Sequence, residues 1–188
     1  MRYATRNHAF VPATTWVLDG ALLRLEDDKG PPRSVALAEV AEVRLTFAPT
    51  RPEPKRYRCR LTLRSGGVWE FFNRTYRGVY DFADTSAAYG EFVRALHGAL
   101  AREAPACRFV AGSSLAAYWF NTGVLVMVGA VLLAAMVFFF TTGMLWVVLI
   151  KVLLILVYVP TAIGWLRRNK PRCHTAGSIP PDLLPKQG

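Results

Sequence analysis

Acidic side chains are in short supply. Only 13 Asp and Glu stand against 23 Lys and Arg, giving a formal net charge of +10 over 188 residues. Such a chain suits an anionic surface, either a phospholipid leaflet or a nucleic acid backbone. Cysteine is scarce too. Cys59, Cys107 and Cys173 are too far apart for a CxxC pair, and a cytoplasmic setting keeps thiols reduced, so no disulfide is expected. The three histidines, His8, His97 and His174, are scattered. Cys173-His174 are adjacent but lack a second cluster to complete a metal site. G-x-x-x-x-G-K-[ST], H-E-x-x-H and G-x-S-x-G are all missing, which removes the chemistries those spacings serve. Asp27-Asp28, Asp81 and Asp84 fall where acidic residues are ordinary turn formers. No catalytic residue, cofactor or metal is expected.

What the chain has in excess is apolar length. Between Asn121 and Leu166 the single charge is Lys151. A helix rises about 1.5 Å per residue and a bilayer core is about 30 Å thick, so about 20 residues span it. The run is more than twice that, beyond what tilt absorbs. Its one small, polar, glycine-containing break is Thr141-Thr142-Gly143-Met144. Two membrane spans are therefore expected, at about 119–141 and 145–167. A linker at 105–118 precedes them and a Pro-rich tail at 168–188 follows.

A short hairpin loop leaves both flanks on one side. Seventeen of the 23 basic residues precede the first span, and Arg167, Arg168, Lys170 and Arg172 follow the second. The positive-inside rule then places both termini in the cytoplasm. The opening MRYATRNHAFVPATT has no apolar h-region, so the first span is expected to serve as insertion signal. Lys151 is near enough to the reversal for its ammonium to reach the outer interface; the sharper alternative is a contact with a partner subunit or an anionic lipid. Pro160 loosens the second span, and Ala130-x-x-x-Ala134 permits close approach of another helix.

Residues 1–104 carry strand and helix signals. TTWVLDGALLRLE reads as a hairpin turning at Asp19-Gly20. Strands are expected near 34–37 and 41–47. In RYRCRLTLR, Tyr57, Cys59, Leu61 and Leu63 alternate inward while Arg56, Arg58, Arg60 and Arg64 point outward. VWEFFN is a further strand, and RTYRGVYDFADTS reads as a loop. A helix at about 85–103 places Tyr89, Phe92, Val93, Leu96 and Leu100 on one face, with Asp84 or Thr85 as cap.

Strands closed by one amphipathic helix give the expected fold class: α+β, a small antiparallel bent sheet or barrel with one C-terminal helix, then the transmembrane hairpin. The Trp16–Glu26 hairpin, VALAEVAEVRLTF, YRCRLTLRSGGVWEF and the closing helix resemble, over about 8–103, the bacterial pleckstrin-homology-like (PH/GRAM-like) domains that often stand beside short membrane helices. The whole chain also resembles uncharacterised bacterial inner-membrane proteins with two spans and an IPPDLLP-like tail. Phosphoinositide-binding members of the wider superfamily carry a Lys/Arg cluster in the first hairpin. Here that hairpin ends RLEDD, so the resemblance does not imply headgroup recognition there.

Three features bear on function. Arg56, Arg58, Arg60 and Arg64, with Lys55 beside them, form a cationic row suited to anionic phospholipids or an acidic partner; in its blander form it is a solvated face paired to Glu42 or Glu70. With no interleaved aromatic platform, nucleic acid ranks last. In the tail, Ile179, Leu183 and Leu184 favour docking on a groove of this domain or a partner. The expected function is a non-catalytic integral membrane protein whose PH-like domain and hairpin bind or stabilise a larger membrane protein complex. The alternative is an anionic-lipid-responsive or transport-related element built from oligomerised hairpins.

Overall fold

Strict alternation along short segments builds most of the first unit of the chain. The computed structural model describes residues 1–6, 12–28, 30–79 and 81–185; His8 lies outside them. The chain divides into two compact units, one formed by 1–112 with 172–188 and the other by 113–171. It is α+β: antiparallel sheets, then two long apolar helices.

In the first unit β1 (Arg2–Thr5), β2 (Thr14–Asp19), β3 (Leu22–Asp27) and β4 (Arg33–Ala36) form one antiparallel sheet in chain order. β1 had no counterpart in the sequence reading. Gly20, at φ +56°, turns β2 into β3, a conformation that glycine adopts without steric cost. A 3-10 turn at Leu37–Glu39 leads to β5 (Val40–Phe47), β6 (Tyr57–Leu63) and β7 (Val68–Phe72), an antiparallel meander in a second sheet. In β6 Tyr57, Cys59, Leu61 and Leu63 are buried, and the residues between them are half-exposed.

RTYRGVYDFADTS, read as a loop, instead contains the two-stranded hairpin of β8 (Arg74–Gly78) and β9 (Asp81–Asp84). The strands are too short to show a period. They are held by cross-strand contacts and by the N-terminal segment: Tyr76 meets Phe82 edge-on at 5.6 Å, Arg74 pairs with Asp84 at 3.3 Å, and Tyr76 N–H donates to the Arg6 carbonyl at 2.7 Å.

Helix α1 (Ser86–Glu103) buries Tyr89, Phe92, Val93, Leu96 and Leu100, together with His97. The Asp84 carboxylate accepts from Ser86 N–H at 2.9 Å. The helix packs over an aromatic cluster in which Phe92 lies 5.6 Å from Tyr3 and 5.5 Å from Phe71, ring centre to ring centre. Tyr3 donates its hydroxyl hydrogen to the Phe72 carbonyl, and burial pushes its pKa up to about 12.

α1 also serves as a crossover. The segment 105–118, expected as linker, contains β10 (Arg108–Ala111), which lies parallel to β5, while β11 (Arg172–Cys173) pairs antiparallel with β10. The second sheet therefore runs β11-β10-β5-β6-β7. Parallel neighbours need a long crossover, which α1 supplies, and β10 covers the β5 edge that would otherwise be open.

The second unit is helix α2 (Leu115–Thr141), a turn with Gly143 at φ +75°, and helix α3 (Leu145–Arg168). Ser114 caps α2 by accepting from Ala117 N–H at 3.3 Å, so the helix begins four residues ahead of the expected 119. Both helices are long and apolar enough to cross a membrane, and neither contains a buried residue. That exposure separates them from the core helices of a water-soluble fold.

Candidate interaction surface

The outward face of β5-β6-β7 collects the cationic row. Register sets Arg60 between Arg44 and Glu70, and Arg58 between Thr46 and Phe72. Each cation is held differently. The Arg56 guanidinium stacks over the Phe72 ring at 3.7 Å and lies 3.5 Å from Glu53, a carboxylate only 6% exposed. Arg58 reaches Glu70 at 3.8 Å. Glu42 is taken by Arg44, whose Nε and Nη2 donate to one carboxylate oxygen at 3.1 and 2.8 Å, and not by the row. Arg60 has no carboxylate within ion-pair distance among the described residues. Lys55 and Arg64 are exposed at its ends.

The Nε–H groups of Arg56, Arg58 and Arg60 are all buried without an acceptor. The pairs that do form are partly solvated, and such pairs contribute at most about 1 kcal/mol each. The face is thus a mixed surface of arginine, carboxylate and aromatic groups, with donors to spare.

The tail returns to the first unit. Leu183 is fully buried and Leu184 nearly so, within or beside a 3-10 turn at Pro181–Leu183. Ile179 lines an open groove of about 770 Å³ with Arg94, Gly98 and Ala101 of α1. Arg172 pairs with Asp182, and His174 N–H donates to the Phe109 carbonyl at 3.1 Å.

In the hairpin, Lys151 is half-covered, its ammonium 5.3 Å from the Phe139 ring centre of α2. Ala130 and Ala134 are exposed. Pro160 lies inside α3, and Thr161 donates its hydroxyl hydrogen to the Val157 carbonyl at 3.2 Å beside it.

Two features went unread in the sequence. His97 and His174, treated as scattered, meet with their Nε2 atoms 3.4 Å apart. A histidine on the buried face of α1 was the one available signal. Asn73 is fully buried: its carbonyl oxygen accepts from Tyr57 N–H at 2.7 Å, and its amide donates to the Lys55 carbonyl at 3.1 Å and to Ser86 Oγ at 2.9 Å. No grouping of three or more His, Cys, Asp or Glu able to hold a metal occurs among the described residues. The thiols of Cys59 and Cys107 are pushed up by burial. Comparison with family models, curated proteins and solved structures returns no match.

Proposed function

We propose that this is a non-catalytic, two-pass protein of the bacterial inner membrane whose PH-like domain and helical hairpin bind or stabilise a larger membrane protein complex. A four-stranded sheet, a three-stranded meander and a closing helix support the PH-like reading. β10 directly precedes α2, β11 directly follows α3, and the two strands pair. A chain that crosses a bilayer between those strands must cross it an even number of times, which supports a hairpin with both flanks on one side. The basic flanks make that side the cytoplasm. A thiol at Thr142→Cys should react with an impermeant reagent on intact cells, and one at Ser178→Cys only after lysis. The reverse pattern would overturn the orientation.

The observation that carries the binding role is the arginine face. Buried guanidinium donors without acceptors, an arginine stacked on Phe72 and interspersed carboxylates match the chemistry of protein interfaces, where arginine and aromatics are enriched. Exposed Ala130 and Ala134 offer a close-packing strip for a partner helix.

Anionic phospholipid is the second reading, favoured by the unpaired Arg60 and the exposed Lys55 and Arg64. Native mass spectrometry of the full chain in mild detergent tests both. A stoichiometric membrane protein held by wild type and lost from an Arg56/Arg58/Arg60→Ser variant supports the first. An anionic lipid lost in the same way, with no protein present, supports the second. Binding indifferent to the arginines would sink both.

A further inference from the structure

The contact between His97 and His174 joins α1 to the returning tail. His97 Nδ1 lies 2.8 Å from the Val93 carbonyl. A carbonyl only accepts, so Nδ1 carries the hydrogen and Nε2 offers a lone pair. The facing His174 Nε2, at 3.4 Å, must then be the donor. Both rings are neutral in this arrangement, with one hydrogen between them. They lie within 25° of parallel, and Phe109 of β10 packs on His97 at 5.1 Å and on His174 at 6.0 Å. His97 is fully buried, and His174 Nδ1 is buried without a partner.

A second proton on His97 Nε2 would set two N–H groups against each other and place a cation on a ring that is fully buried from water. The surroundings do not welcome one. On the tail, Arg172 acts on His174 and is itself paired with Asp182. From β10 and the turn before it, Arg108 and Cys107 line the same groove as His174 and Cys173. On α1 itself the Val93 carbonyl is already used, and Arg94 lines the neighbouring groove. The charges acting on the two rings are each other and Arg172.

We propose that this histidine pair is an acid-released latch that holds the returning segment 172–185 on the first unit when both rings are neutral and frees it when they are protonated. The direction of titration agrees. Burial chiefly, reinforced by His174 and opposed by the Val93 carbonyl, lowers His97 from 6.5 to about 4. Burial and then Arg172 lower His174. Groups with depressed folded pKa values contribute fully above the free-imidazole value and lose that contribution as pH falls toward the folded one. The latch is therefore whole above about pH 6.5 and weakens between there and about pH 4. Release bares the α1 groove at Arg94, Gly98 and Ala101 and the surface beneath Leu183.

The test is fluorine NMR on the full chain in detergent, labelled at Ser178→Cys with Cys173→Ser. Wild-type histidines should give one tail signal at pH 7.5 and a second, narrower one by pH 4.5, with far-UV circular dichroism unchanged. His97→Phe with His174→Phe, which keeps the stacking and cannot titrate, should stay closed throughout. His174→Gln keeps the donor toward His97 and should move the midpoint down by about half a pH unit or more; it serves where the double variant does not fold. A tail signal constant to pH 4.5, loss of the whole fold at the same midpoint, or an unchanged midpoint in the variants would each overturn the latch.

Discussion

Replacing Phe92 with alanine should destabilise the first unit by about 3–5 kcal/mol, read as a urea midpoint lowered by roughly 2 M in the full chain. Phe92 is fully buried, stacked on Tyr3 and edge-on to Phe71, so truncation removes contacts of α1 to both sheets at once. Tyr3, Phe71 and Tyr89 are each within 6.1 Å of the other two, ring centre to ring centre. A ring cluster this tight does not collapse into the vacated space, which places the cost toward the upper end for such changes. The neighbouring exposed Glu91 supplies the control: Glu91→Ala should stay within about 0.5 kcal/mol. Equal effects from the two would show that α1 does not pack as described.

Asn73→Ala should cost about 3 kcal/mol, although it deletes few atoms. The change strands the buried Tyr57 N–H, which Asn73 serves at 2.7 Å, at about 1–3 kcal/mol, and removes the bonds to the Lys55 carbonyl and Ser86 Oγ, about 0.5–1.5 kcal/mol each. Asn73→Asp separates the two halves of this role. The carboxylate still accepts from Tyr57 N–H but turns a second oxygen toward the Lys55 carbonyl. That variant should be at least as unstable at neutral pH. It should recover as pH falls, because a protonated carboxyl regains a donor and a buried acid has its pKa raised. Thermal melts at pH 7.5 and pH 5 check the sign; an Asp variant that weakens further at pH 5 would refute it.

The parts legible in the sequence were those governed by local period. Tyr57, Cys59, Leu61 and Leu63 alternate without interruption and are buried in that order. Asp19-Gly20 marks its hairpin because the turn needs a positive φ. Tyr89, Phe92, Val93, Leu96 and Leu100 recur at helical spacing. Length alone separates α2 and α3, with Gly143 as the punctuation. What stayed hidden depended on partners remote along the chain. β10 is four residues long and takes its strand character from β5 beside it. β8 rests on the N-terminal segment, where Thr5 donates its hydroxyl hydrogen to the Arg74 carbonyl at 3.1 Å and the Arg6 carbonyl accepts from Tyr76 N–H.

The candidate surface divides in the same way. That Arg56, Arg58 and Arg60 share a face follows from a period of two. That Glu53 is buried beside Arg56, or that Glu42 belongs to Arg44, follows from no pattern. His97 and His174 are 77 positions apart, and nothing in either neighbourhood announces the other.

The discontinuity of the first unit sets an order of events during synthesis. β10 emerges from the ribosome before α2 and α3, and its partner β11 only after them, with Leu183 later still. Until then the outer edge of β10 has no neighbour and the cavity that Leu183 fills has no occupant. An open strand edge beside an unfilled apolar site is what chaperones and proteases engage. A nascent chain stalled between the two strands keeps that mark. Closing the sheet with β11 removes it, so maturation of the domain doubles as a readout that both helices have been made.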